Sequence, residues 1–289
     1  MKLTSQLTAI SEKTRGLSAP ERARYCCDLA KQLEKAGEYD AACEALSEFW
    51  PDRNEFLSLN DLDEATKAVV LLRVGALAGW LGSTDQAAGS QETAKDLITQ
   101  SIEIFERLGQ AREAAEARGD LALCYWREGS YDEARIHLAN ALSVLGDDDS
   151  EVKAILLIRA GMVEVDTQRL DKALRLYDEA ALLVERSEDH ALKGSFNFGY
   201  GVLLRRLAAP ENREDYLDRA LIAYAASSFH YEQAENSRAL ARVEQKVPLA
   251  TRLTLDATDP RAVSEAIAGH DIVVSALSFH HRRRQECGR

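Results

Sequence analysis

The side chains best suited to acid–base or metal chemistry are few, and they are scattered. The histidines are His137, His190, His230, His270, His280 and His281. None sits in an H-E-x-x-H pair, which would put two imidazoles and a carboxylate on one helical face around zinc. His280 and His281 could touch a metal, but no cysteine or acid frames them. The cysteines are Cys26, Cys27, Cys43, Cys124 and Cys287, and no two are spaced C-x-x-C. Asp147, Asp148 and Asp149 are adjacent and lack the alternating spacing of a calcium loop. There is no G-x-S-x-G nucleophile turn and no phosphate-loop lysine. The expectation is a protein without a catalytic set, a resident metal or a cofactor.

Binding chemistry is better represented. Tryptophan and arginine anchor peptides because they combine a large contact area with directed polar groups. Trp80, Trp126, Arg127, Arg205 and Arg206 are the candidate partner-binding residues. They can act together only if a scaffold aligns them.

That scaffold is clearest in LALCYWREGSYDEARIHLANAL, residues 121–142. Gly129 ends a first helix that carries Ala122 and Tyr125, because glycine accepts the left-handed backbone a helix end needs. Tyr131, Ala134, Leu138 and Ala141 follow at spacings of three and four, which puts them on one face of a second helix. Such a pair cannot bury its face alone and should have copies. They are present. Residues 30–51 repeat the pattern with Gly37, Tyr39, Ala42 and Leu46, and residues 155–185 with Gly161, Leu170, Ala173, Tyr177 and Ala180. Residues 74–82 and 94–109 form a further unit around an insertion, and residues 198–224 another. The second-helix alanines are Ala42, Ala94, Ala134, Ala173 and Ala220.

This pattern resembles the tetratricopeptide repeat family over roughly residues 19–245. The unit with Ala122, Tyr125, Gly129, Tyr131, Ala134, Leu138 and Ala141 matches best. Phe49 stands where a last alanine is usual in the first unit, and Gln168 replaces the turn glycine in the fourth. The resemblance implies an all-α fold, a superhelix of helix pairs whose first helices line a groove. It implies a noncatalytic scaffold that takes a peptide or protein segment there, a role such arrays play in bacterial regulatory proteins. Cys27 and Lys31 occupy positions where chaperone-tail-binding members place a lysine/asparagine clamp, so that clamp is not evident.

Helix boundaries follow from local signals. Ser18, Pro20 and Glu21 announce a start, and Asp61 or Asp63 caps a helix reaching Leu81. Residues 83–91 read as a mobile loop. Residues 231–245 read as the first helix of a sixth unit with no second helix. A leading helix over residues 3–16 is expected to cap the array, giving divisions at 1–18, 19–245 and 246–289. The unfinished end leaves an apolar face open to self-association.

After Lys246 the pattern changes to strand, short helix, strand. LDATDPRAVSEAIAGHDIVVSAL resembles an inner β-α-β piece of nicotinamide-dinucleotide-binding Rossmann domains of the saccharopine dehydrogenase type. That supplies the alternative reading: an NAD(P)-dependent oxidoreductase represented by a fragment. No G-x-G-x-x-G turn is present to cradle a pyrophosphate, so Asp256 and Ser275 are not cofactor ligands. The junction suggests a truncated or recombined repeat protein, ending in a basic disordered tail around Arg282, Arg283 and Arg284.

Composition bounds the rest. The chain has 289 residues, of which 46% are hydrophobic, and a net charge of −12. That charge disfavours general nucleic-acid binding. An odd cysteine count, no secretion signal and an apolar run interrupted by Arg73 point to a cytoplasmic protein away from membranes.

Overall fold

The computed structural model describes residues 13–51, 57–85, 90–209 and 214–246. They form eleven helices and, among the described residues, no strand. In order these are α1 (Ala19–Lys35), α2 (Tyr39–Ala45), α3 (Glu64–Asp85), α4 (Ser90–Arg107), α5 (Ala111–Glu128), α6 (Tyr131–Leu145), α7 (Glu151–Asp166), α8 (Leu170–Arg186), α9 (His190–Ala208), α10 (Glu214–Gln233) and α11 (Ser237–Glu244). The chain divides into two compact units between Asp148 and Asp149.

Helix starts are built as their sequences require. The Ser18 amide donates to the Glu21 carboxylate at 2.8 Å, and proline occupies the first turn of α1. Asp63, rather than Asp61, caps α3 by accepting from the Thr66 amide at 2.9 Å. Asp189 accepts from the amides of Ala191 and Leu192 at 2.8 and 3.1 Å. Each such oxygen satisfies amides that have no partner within their helix.

In the first unit α1 pairs with α2, α3 with α4, and α5 with α6. The first helices are also neighbours: α3 lies against both α1 and α5. In the second unit α7 pairs with α8, α9 with α10, and α11 lies on α10. This is the all-α, paired-helix repeat that the spacing predicts.

Close approach within the pairs rests on small residues. Ala42, Ala94, Ala134, Ala173 and Ala220 are all at most 2% exposed. A buried small residue stands 19 positions before each: Ala23, Gly75, Ala115, Ala154 and Gly201. A methyl on Gly75 would come within 3.1 Å of the Ala94 carbonyl oxygen, and one on Gly201 within 3.3 Å of that of Ala220. The spacing between these contact residues is therefore constant within every pair. Where a last alanine is usual, α4 and α10 carry Ser101 and Ser227. These fully buried hydroxyls donate to the carbonyls of Ala68 and Gly194, each at 2.8 Å.

Two expectations need correction. Residues 231–245 are not one helix: α10 continues to Gln233, the chain turns at Glu235, and α11 begins after Asn236, whose side chain accepts from the Ala239 amide at 2.8 Å. The turn is left-handed at a glutamate (φ 55°), so no glycine announced it. The loop read over residues 83–91 is shorter, because α3 runs to Asp85 and α4 starts at Ser90. By length and composition alone, helix α3 is long and apolar enough to cross a membrane. Its apolar window is 61% buried within the protein and carries an ion-paired Arg73, so core packing accounts for its composition. The strand–helix–strand segment, the basic tail and nearly all of the leading helix lie outside the described residues.

Candidate functional site

The first helices of unit one carry a row of charged side chains. On α1, Lys31 and Glu34 are three apart; on α3 there is Arg73; on α5, Glu116 and Asp120 are four apart. These spacings keep each set on one helical face. The Arg73 Nη1 donates to both Glu34 oxygens at 3.1–3.2 Å, and its Nη2 lies 3.6 Å from Glu116. Lys31 reaches across to the same Glu116. Asp120 is 8% exposed and acts on both Arg73 and Glu34 through its charge. One network thus joins three successive first helices.

Its electrostatics are unbalanced toward acid, with three carboxylates facing two cations. Burial pushes the Glu34 carboxyl upward although Arg73 pulls it down, and Asp120 adds to the rise. The arginine side chain is 9% exposed and that of Glu34 19%, so removing either partner leaves a charge poorly solvated.

Further along the same helices lie the aromatic and cationic candidates. Trp80 is seven residues after Arg73, two turns along α3. Its indole stacks on the Tyr39 ring of the preceding pair, with centroids 3.6 Å apart and planes within 7°. One face of the tryptophan is therefore spent on packing between repeats, while the side chain as a whole remains half-buried. Arg127 is seven residues after Asp120, and its Nη1 lies 3.3 Å from where a methyl on Gly79 would stand. The glycine lets the guanidinium approach the α3 backbone. Trp126 is half-buried on α5. Behind them Lys95 joins Glu92 and Glu128 at 2.7 and 2.9 Å and lies 5.0 Å over the Tyr125 ring.

Arg205 and Arg206 are exposed in the last turn of α9, in the second unit. There they complement the negative end of the helix dipole. The sequence candidates therefore split, with Trp80, Trp126 and Arg127 in one unit and the two arginines in the other.

The thiols are packing groups. Cys26, Cys27 and Cys124 are at most 2% exposed, and burial pushes them up to about 11, about 12 and about 11 respectively. A thiol held protonated is a poor nucleophile. Among the described residues no three of His, Cys, Asp and Glu are grouped to hold a metal. The charged row was missed from sequence because Glu34, Glu116 and Asp120 look like ordinary solvated charges. The one available signal was Arg73, the lone charge within the apolar run of residues 68–81.

No protein-family model matches the chain, and no curated protein matches it in sequence. Among solved structures, it is similar to BtubC (BKLC) from P. vanneervenii, with a TM-score of 0.52 and 18% identity over 78% of this chain and 92% of that one. The apo form of RapI gives a TM-score of 0.46 at 16% identity, over 85% of this chain and 70% of that one. The first is a likeness of fold, that of a helical-repeat protein. The second is too slight to carry more.

Proposed function

We propose that the chain is a noncatalytic scaffold of the tetratricopeptide type, which holds a peptide or protein segment along the first-helix layer of unit one. The supporting observation is the layer itself: α1, α3 and α5 lie side by side, with Lys31, Glu34, Arg73, Glu116 and Asp120 joined across them. The joined charges fix the three helices in register, so that Trp80 and Arg127 are presented from held elements. A pre-organised surface loses less entropy when an extended segment is ordered on it. The four cysteines among the described residues are buried and in no disulfide, which suits a reducing, cytoplasmic setting. Self-association through an end of the array belongs to the same proposal.

The test is selection of peptides on the purified protein from a random twelve-residue library, followed by affinity measurement with variants. Trp80→Ala and Arg127→Ala should each weaken a selected peptide tenfold or more, as anchor residues do. Arg205→Ala should leave it unchanged. A library yielding no saturable binder, or binders indifferent to both unit-one substitutions, overturns the proposal.

A further inference from the structure

His190 opens α9 and His230 lies in the last turn of α10, and their Nδ1 atoms are 2.9 Å apart. His230 is 4% exposed. Phe229 closes on both rings, at 6.4 Å from His190 and 5.2 Å from His230. A hydrogen bond between two imidazoles needs one donor and one acceptor, so the two Nδ1 atoms hold one proton between them. Were both rings imidazolium, two Nδ1–H donors would stand face to face at that distance.

We propose that this pair is a proton-operated latch on the second unit: a single shared proton joins the start of α9 to the end of α10, and protonation of both rings releases it. What the latch holds is visible beside it. The Ser227 hydroxyl donates to the Gly194 carbonyl at 2.8 Å, and Tyr231 lies so close to Gly194 that a methyl there would stand 2.8 Å from the ring. Residues 227–231 are thus seated on residues 190–194, directly ahead of the turn into α11. Release would loosen α11 with them.

The surrounding charges favour the closed form, in which the two rings are not both cationic. Lys193 on α9 repels an added proton from His230. The carboxylate next in sequence, Asp189, uses its Oδ1 to cap α9 through the Ala191 and Leu192 amides. From α11, Arg242 is turned onto the Phe198 ring, 4.5 Å from its centroid. Burial is the largest influence and, with His190 and Lys193, holds His230 down from 6.5 to about 4. The folded state therefore resists a proton that the unfolded state accepts. The contribution is fully present above 6.5 and is lost as pH falls from there toward 4.

The experiment is amide hydrogen exchange of the full chain at pH 7.5 and pH 5.0, corrected for intrinsic rates, with the histidine C–H resonances followed by NMR. Peptides covering residues 188–196 and 226–246 should lose protection roughly 30-fold at pH 5.0, the factor set by protonation at about 4 against 6.5. Peptides from α7 should change little. In a His190→Leu/His230→Leu variant that loss should disappear. His230 titrating near 6.5 in the folded wild type, with protection unchanged at pH 5.0, overturns the latch whether or not the double variant folds.

Discussion

The left-handed turns make the same hydrogen bonds with different residues. At Gly37, Gly109, Gly129, Gln168 and Glu235 the backbone φ is 76°, 70°, 80°, 61° and 55°. In each, that residue's amide donates to the carbonyl three back, and the next amide donates to the carbonyl five back from itself, as in Ser130 to Tyr125 at 2.9 Å and Arg169 to Glu164 at 2.8 Å. This paired closure ends a helix by satisfying two free carbonyls. Glycine enters that region without a steric penalty, whereas a side chain costs roughly 1–2 kcal/mol. Gln168→Gly and Glu235→Gly relieve that cost but loosen the unfolded chain by about 0.4–1 kcal/mol. Each should therefore raise stability, by up to about 1.5 kcal/mol in urea titrations. A loss of stability at both positions would show that the side chains make contacts worth more than the strain. The same contrast explains what could be read in advance. Gly129 marks its turn in the sequence, whereas Glu235 does not, and so residues 231–245 read as one helix.

At the scale of elements, the first-helix layer of unit one is held by charge as well as by apolar contact. Arg73 satisfies Glu34 directly and Glu116 at longer range. Arg73→Leu leaves Glu34 with its main partner gone, at a cost of about 3 kcal/mol. Arg73→Leu combined with Glu34→Leu should recover part of this loss, because no uncompensated charge then remains on that pair. Equal destabilisation by the single and double variants, measured in one denaturation series, would place the value of Arg73 in its packing alone. Pair spacing was legible in the alanines, because a close helix contact admits few residue types. The ionic row was not, since Glu34, Glu116 and Asp120 are far apart in sequence and meet only when α1, α3 and α5 become neighbours. Nor could spacing reveal that Tyr39 covers one face of Trp80, a contact made between successive pairs.

For the whole molecule, five helix pairs and α11, which lies on α10, account for every described helix. The buried thiols are held protonated, and among the described residues no group of metal ligands converges. In the proposed scaffold the array acts through the surface its repeats share. The most direct test is hydrogen exchange of the full chain with and without a saturating selected peptide. Scaffold binding predicts added protection in α1, α3 and α5, spreading from Trp80 and Arg127 toward Arg73. Protection confined to α2, α4 and α6, or none anywhere in unit one, would contradict it.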